Sequence, residues 1–516
     1  MKDGLKGKTI HSSLVTDIQQ KAEYILENHM LSLRDNKIHN AAVLISSVKT
    51  GKVLAYIGNS KSKGSDDNAN FVDCVNSPRS TGSTLKPILY AKSLEAGIIN
   101  PNTFLIDIPT NYGGFTPQNF NYSHEGVVPA NEALAKSLNI PFVRLLKTYG
   151  YEKFHDDLKK MNLSNLNHPA SYYGLSIILG GAEAKMWDLN NLYLSQAMHL
   201  KGVDSVQLSY QKNVSTFTSF EYIDKACLYH TFEAMTQLNR PDEEGNWQKF
   251  DGSVKVAWKT GTSFGFRDAW AIGITPDYVI SVWVGNASGE GRPSLTGVKA
   301  AAPIMFDVLR NLKSSNQWFK PPISSMNKME ICRISGKRAG DACADKKEML
   351  LPSTCLKSGV CHYHQWILLD KTNVNRVNSM GYNPLDANKK SFLVLSPGIE
   401  KYYKLSHPEY KELPPLHKSC ANINEEQPLA LIYPRHNSKI FVPTEINGRA
   451  GKVIFEATHR QNNEVIYWHI DENYIGQTTE IHQMHVSPGP GKHILKVIDE
   501  LGYSKTIYFE ITNQVK

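Results

Sequence analysis

A chain of 516 residues, 41% hydrophobic and 21% charged, has ordinary globular composition and room for two or three cores, which excludes a disordered polymer. Its net charge of +8 is scattered without a long Lys/Arg run, which argues against nucleic acid as a partner while permitting acidic polymers or anionic surfaces. No apolar stretch approaches the ~20 residues of a membrane span, and the opening MKDGLKGKTI has no signal-peptide core; these two features alone point to a soluble protein.

In chain order, residues 41–57, AAVLISSVKTGKVLAYI, are two apolar, β-branched runs about a Lys/Gly turn and predict a hairpin. A polar loop from Gly58 to Arg79 leads to TGSTLKPI at 81–88. There Gly82 lets the chain turn and Ser83 caps a helix running to about Gly97, with Leu85, Ile88 and Leu89 as its buried stripe. Residues three apart share a helix face, so the amine of Lys86 can reach the hydroxyl of Ser83 and, if neutral, take its proton. The pattern S-x-x-K is not diagnostic alone, since Ser46/Lys49, Ser60/Lys63, Ser209/Lys212 and Ser325/Lys328 match as well.

Helical patterns continue to about Leu200. The stretch VPANEALAKSLNIPFVRLLKTYG reads as two helices broken near Asn139 and Pro141, which sets Ser137, Leu138 and Asn139 at the junction. Strands follow at VKVAW (254–258), DAWAIGI (268–274) and YVISVWVGN (278–286). Directly after the first stand Lys259, Thr260, Gly261, Thr262 and Ser263. Such a strand edge can offer a cation, hydroxyls and a backbone N–H to an acyl substrate. A second K-T-G, at Lys49–Gly51, falls in the predicted hairpin turn and reads as ordinary turn residues.

Beyond Lys313 periodicity fades until about Glu425, and Cys332, Cys343, Cys355 and Cys361 crowd together. Two local disulfides made in an oxidising compartment, Cys332 with Cys343 and Cys355 with Cys361, are the expectation. The rival is a zinc site aided by His362 or His364, disfavoured because short C-x-x-C knuckles are lacking. Cys74, Cys227 and Cys420 are left as buried or free thiols. From Glu425 onward, short alternating strands predict a small β-sandwich of the immunoglobulin type, with Val465, Tyr467 and His469 on one face of a strand and Ile466, Trp468 and Ile470 on the other. That tail is expected to build its own core and to leave the chemistry untouched if removed.

An S-x-x-K at a helix start, an S-x-N at a helix junction and a K-T-G-T on a strand, in that order, resemble the motif set of penicillin-recognising enzymes. Residues from about 40 to 310 resemble the transpeptidase domain of class A penicillin-binding proteins. The stretches TPQNFN, YGLSIILGGAE and DAWAIGITPDYVISVWVGN carry the likeness further, and the cysteine connector and β-rich tail are similar to the 1C type. The resemblance implies an α/β (α+β) serine transpeptidase fold with a central antiparallel sheet, in a chain divided into a lead-in (1–39), a transpeptidase domain (40–313), a connector (314–424) and a β-sandwich (425–516). It implies Ser83 as acylated nucleophile, Lys86 as base, and Ser137 as proton carrier to the leaving amine. Asn139, Lys259, Thr260, Gly261 and Thr262 would hold the substrate, and the N–H groups of Ser83 and Thr262 would form the oxyanion hole. Neither metal nor cofactor is expected. The implied partners are peptidoglycan stem peptides ending in D-Ala-D-Ala, β-lactams, and a cell-envelope protein or the wall at the tail. Family members of this class begin with a membrane helix and a glycosyltransferase domain. Neither is visible here, so the sequence reads as a fragment of a protein anchored on the periplasmic side of the inner membrane, and glycosyltransfer is not expected. A D,D-carboxypeptidase or β-lactamase is the alternative, weakened because no E-x-x-x-N lies between SLN and KTG and because Glu183 and Glu233 read as surface or packing residues. A non-catalytic β-lactam sensor or scaffold is the third.

Overall fold

The computed structural model describes residues 11–61, 68–110, 112, 115–203, 208–212, 220–238, 254–315, 317–379, 381–420, 428–442, 451–461, 463–500 and 502–512. Helix α1 (Thr16–Asp35) is followed by strands β1 (Asn40–Ser47), β2 (Val53–Ile57) and the short β3 (Arg79–Ser80), then helix α2 (Lys86–Glu95). Strands β4 (Phe104–Asp107) and β5 (Gly126–Pro129) lead into helices α3 (Ala130–Ala135), α4 (Asn139–Tyr149), α5 (Tyr151–Lys160) and α6 (Ala170–Tyr173). Strand β6 (Glu183–Ala184), helices α7 (Met186–Lys201) and α8 (Lys225–Met235), strands β7 (Ala257–Thr262), β8 (Asp268–Ile274) and β9 (Tyr278–Gly285) and helix α9 (Ala302–Arg310) complete the first unit.

The strands from its two ends join in one antiparallel sheet, ordered β2-β1-β9-β8-β7. Side chains alternate across a strand, so Val43 and Ile45 of β1 pack with Ala22, Leu26 and Met30 of α1 and Met305 of α9. Ala42 and Leu44 face the opposite way, into the helical layer with Leu89 and Leu94 of α2 and Leu189 of α7. Burial on both faces explains why β1, β8 and β9 read as almost continuous apolar runs. Helix α2 lies inside this layer: every residue from Lys86 to Leu94 is buried.

Two boundaries differ from the sequence expectation. Helix α2 begins at Lys86, and Ser83 sits on the preceding turn, closed by Lys86 N–H donating to Ser83 O at 3.3 Å. The strand expected over 254–258 begins at Ala257 and carries Lys259–Thr262 within it, because pairing with β8 runs on to Thr262 opposite Ala269.

The connector holds two hairpins, β10 (Met326–Cys332) with β11 (Lys346–Pro352) and β12 (His364–Leu369) with β13 (Asn388–Leu393), then helix α10 (Pro397–Ser406). The tail strands are β14 (Leu429–Tyr433), β15 (Ser438–Phe441), β16 (Val453–His459), β17 (Ile466–Ile470), β18 (Asn473–Thr478), β19 (Gln483–Val486), β20 (Gly491–Asp499) and β21 (Ser504–Thr512). They form sheets β14-β16-β19 and β15-β21-β20-β17-β18, closing on a core that includes Phe455, Ile466, Trp468 and Leu495. That core is separate, but the tail is docked. The Arg435 guanidinium donates to the carbonyl of Pro109, and buried Arg460 pairs with Glu400 of α10 at 3.1 Å. Helix α10 in turn lies on β5, where a Cβ at Gly126 would come within 2.6 Å of Ile399 O.

The cysteine pairing is corrected by the structure. All seven cysteines are free thiols. Cys355 lies on a turn at the end of α2, its thiol against Ile99 O at 3.6 Å, so it is core of the first unit and remote from a bond to Cys361. Cys332, Cys343 and Cys361 converge instead on His364, with the three sulfurs and its Nδ1 all within 4.8 Å of one another.

Candidate active site

The three motifs meet where the helical layer faces the free edge of β7. The turn at 81–85 lies flat against that edge. Gly82 has φ +51° and a Cβ there would sit 2.7 Å from Thr262 N, while one on Gly261 would sit 2.8 Å from Thr81 O. Glycine is required at both because backbone meets backbone. The turn is held from behind by Tyr193 Oη donating to Thr84 O at 2.5 Å, Ser80 Oγ to Gly180 O at 2.8 Å and Trp270 Nε1 to Ser80 O at 2.8 Å. Gly180 belongs to the YGLSIILGGAE stretch, which thus floors the Ser83 turn.

In an antiparallel ladder, N–H groups point alternately to the partner and away. Ser263 N–H donates to Asp268 O, so the N–H of Thr262 points off the edge of β7, toward the turn at Gly82. The hydroxyl of Thr262 accepts from Gly297 N–H at 3.1 Å.

The S-x-N segment is the loop between α3 and α4. Ser137 N–H donates to Leu134 O and Leu138 N–H to Ala133 O, the pair of bonds of a Schellman helix end. Ser137 occupies the left-handed position of that motif, at φ +55°, where glycine is usual. Asn119 supports the next helix: its Oδ1 accepts from Asn139 N–H at 2.9 Å and Ile140 N–H at 3.2 Å, and its amide donates to Asp107 at 2.8 Å. Neither Asn119 nor Asp107 was singled out in the sequence, although Asn119 lies in the TPQNFN stretch.

Both lysines are buried and both reach this loop. Lys86 Nζ donates to Ser137 O and to Asn139 Oδ1, each at 2.7 Å. Lys259 Nζ donates to Ser137 Oγ at 2.7 Å and Thr260 O at 2.8 Å. Burial, and then the nearby Lys259 cation, hold Lys86 well below the ordinary lysine range. Burial brings Lys259 down to about 7. Lys86, Ser137, Asn139, Lys259 and Thr260 are therefore joined by hydrogen bonds, and the turn that carries Ser83 lies on Gly261 and Thr262 beside them.

The competing motif copies lie elsewhere. Ser46 is buried on Asn190 at 2.7 Å, Ser60 bonds His39 O, and Lys49–Gly51 form the β1–β2 turn. Glu233 is paired with Lys255 at 2.7 Å, and Glu183 is exposed on β6.

Residues 41–217 match the penicillin binding protein transpeptidase domain, and residues 418–509 match the penicillin-binding protein C-terminus family. The chain is 30% identical over 334 residues to penicillin-binding protein 1C of Escherichia coli, covering 64% of this chain and 42% of that protein. It is 27% identical over 341 residues to penicillin-binding protein 1B of Haemophilus influenzae, covering 62% of this chain and 42% of that one. It thus spans less than half the length of these curated relatives. The solved structure of PonA1 from Mycobacterium tuberculosis is 21% identical, covers 60% of this chain and 86% of that one, and superposes with a TM-score of 0.49. Among the described residues no helix is long and apolar enough to cross a membrane.

Proposed function

We propose, for a chain that belongs to the penicillin-binding proteins, that it is the D,D-transpeptidase part of a peptidoglycan synthase, working on the periplasmic side of the inner membrane. The observation that carries the reading is the bonding of Lys86, a lysine that burial holds well below the ordinary range. A neutral amine has two N–H donors and one lone pair. Both donors are taken, by Ser137 O and Asn139 Oδ1, so the lone pair is the position left to accept the Ser83 proton.

Ser83 Oγ attacks the carbonyl of the penultimate D-alanine as its proton passes to Lys86. The oxyanion is received by the N–H groups of Ser83 and Thr262. Ser137, whose oxygen accepts from Lys259, keeps its own O–H to donate, so it hands that proton to the departing D-alanine amine as the C–N bond breaks and takes in its place the proton that Lys86 accepted from Ser83. Lys259, brought down to about 7 by burial, is drawn to its charged form by the substrate's terminal carboxylate, which Thr260 and Thr262 also face. The acyl-enzyme ester is then attacked by the amine of a second stem peptide, whose proton passes by way of Lys86 to the departing Ser83 Oγ, forming the cross-link and releasing Ser83. A β-lactam enters the same way but keeps its leaving group attached, so it stays on the serine. Glu233 is engaged with Lys255, and no role follows for it as a water-activating base, which favours transfer over hydrolysis.

Intact mass spectrometry after incubation with penicillin tests this reading. One covalent equivalent per chain, absent in Ser83→Ala, is the expected result; an adduct that persists in Ser83→Ala overturns it. Cross-linked product from the acyl-enzyme and an added stem-peptide amine separates a transpeptidase from a sensor.

A further inference from the structure

We propose that Cys332, Cys343, Cys361 and His364 form a structural zinc site that fastens the connector to the transpeptidase unit. The three sulfurs and His364 Nδ1 all lie within 4.8 Å of one another, and the three cysteines are buried. Cys332 Sγ is 3.4 Å from Nδ1, Cys361 Sγ 3.5 Å and Cys343 Sγ 3.8 Å. Tetrahedral zinc with Zn–S of about 2.3 Å and Zn–N of about 2.0–2.1 Å requires an S···N edge of about 3.5 Å. The donors already stand at that spacing.

Hydrogen bonding explains the convergence poorly. An imidazole nitrogen offers one lone pair to three thiols, so at most one can donate to it and the others meet only sulfur, a weak acceptor. A dication uses all four donor lone pairs at once. The surroundings suit thiolates: Ser335 N–H points at Cys332 Sγ and Gly340 N–H at Cys343 Sγ, each at 3.4 Å, and Ser335 Oγ lies 3.1 Å from Cys361 Sγ. Three sulfurs and one imidazole select zinc, and four protein donors leave no open position, so the site is structural and not catalytic. The sequence signature is C-x-x-H at 361–364 joined by two distant cysteines, the arrangement that a search for C-x-x-C passes over.

What the site would secure is visible next to it. The loop after Cys332 presses on the transpeptidase unit: Phe104 N–H donates to Ser335 O at 2.9 Å, and a Cβ at Gly336 would fall 1.8 Å from Asn102 O. The cluster shares a small core with Phe104 and Val127 of β4 and β5 and with Ile399 of α10. That core is small and three of its members are the cysteines themselves, a situation in which a metal adds a staple.

The test uses the whole chain purified without chelator. One zinc per chain by elemental mass spectrometry is expected, with tetrahedral thiolate-to-metal bands after cobalt replacement. Cys343→Ser and His364→Ala should lose the metal, whereas Cys355→Ser should keep it, since Cys355 lies outside the cluster. Should the first two variants fail to fold, chelation of the parent must lower its melting temperature and zinc must restore it. The proposal is overturned by protein that takes up no zinc, by iron or inorganic sulfide at the site, by a disulfide among Cys332, Cys343 and Cys361, or by zinc loss in Cys355→Ser.

Discussion

The backbone of Ser137 supplies a sharp test, because it is held where serine is a costly choice. At φ +55° a residue with a Cβ pays roughly 1–2 kcal/mol relative to a right-handed conformation. Glycine removes that strain but loses about 0.4–1 kcal/mol through its freer unfolded chain. The two together put Ser137→Gly above Ser137→Ala by about 0.5–1 kcal/mol. Both variants lose the hydroxyl that accepts from buried Lys259 at 2.7 Å, a loss of about 1–3 kcal/mol that cancels in the comparison. Scanning calorimetry should therefore place Ser137→Gly above Ser137→Ala by about 1–4 °C. On the proposed mechanism both acylate with penicillin slowly and to a similar degree, since neither has the proton-carrying hydroxyl. A glycine variant no more stable than the alanine one would refute the strain argument. Full acylation by either would remove Ser137 from the proton path.

Four further outcomes follow from the structure. Acylation requires neutral Lys86, so its rate climbs with pH through the depressed Lys86 pKa. Lys259→Met removes one cause of the depression and should move that limb to higher pH, an unmoved limb counting against the coupling. Because unfolded Lys86 binds a proton that the folded form does not, stability rises with pH between the folded value and the ordinary lysine value, and the pH dependence of melting should flatten in Lys86→Met. Asn119→Ala strips the acceptor from the first N–H groups of α4, which should cost about 1–2 kcal/mol in denaturant unfolding and slow acylation by displacing Asn139; unchanged acylation would show that the S-x-N loop holds itself. Arg460→Ala leaves Glu400 buried without its partner and should destabilise the docked tail by about 3–5 kcal/mol, while the double change to Met at both positions recovers most of it; equal losses in the two would disprove the pairing.

The candidate site was legible in the sequence to the extent that it is local. Ser83 and Lys86 are one turn apart, Ser137 and Asn139 mark a break between two helical patterns, and Lys259–Thr262 belong to a recognisable strand. Their order along the chain sorted them from stray copies such as Ser46 with Lys49. What escaped is what depends on distant segments. Asn119 is one polar residue in a polar loop until the fold sets its amide on the end of α4 and against Asp107. Nothing in KSLNIP announces that Ser137 takes a left-handed backbone, because serine normally avoids it. The cysteines were paired by proximity in sequence, and there proximity misled: the turn at Ser353–Lys357 buries Cys355 beside α2, leaving Cys361 to face residues 18 and 29 positions upstream.

The connector is best regarded as part of the catalytic unit rather than a spacer. Segment 101–104 takes the contact from Ser335 on one side, and on the other it accepts the first bonds of α3, Ala130 N–H to Thr103 O and Asn131 N–H to Pro101 O, each at 2.9 Å. Helix α3 is only 6 residues long and ends on Ser137. A shift of the Ser335 loop thus has one and a half helical turns through which to reach the serine that bonds Lys259. The tail is attached differently, through Arg435 on the loop after β4 and Arg460 on α10, while its own core closes without help from the first unit. The earlier expectation of an independent tail therefore divides in two. Its core is its own, but its removal strips the partner from Glu400 on a helix that packs against β5, so a truncation after the connector perturbs the strand leading to the S-x-N loop unless Glu400 is neutralised as well.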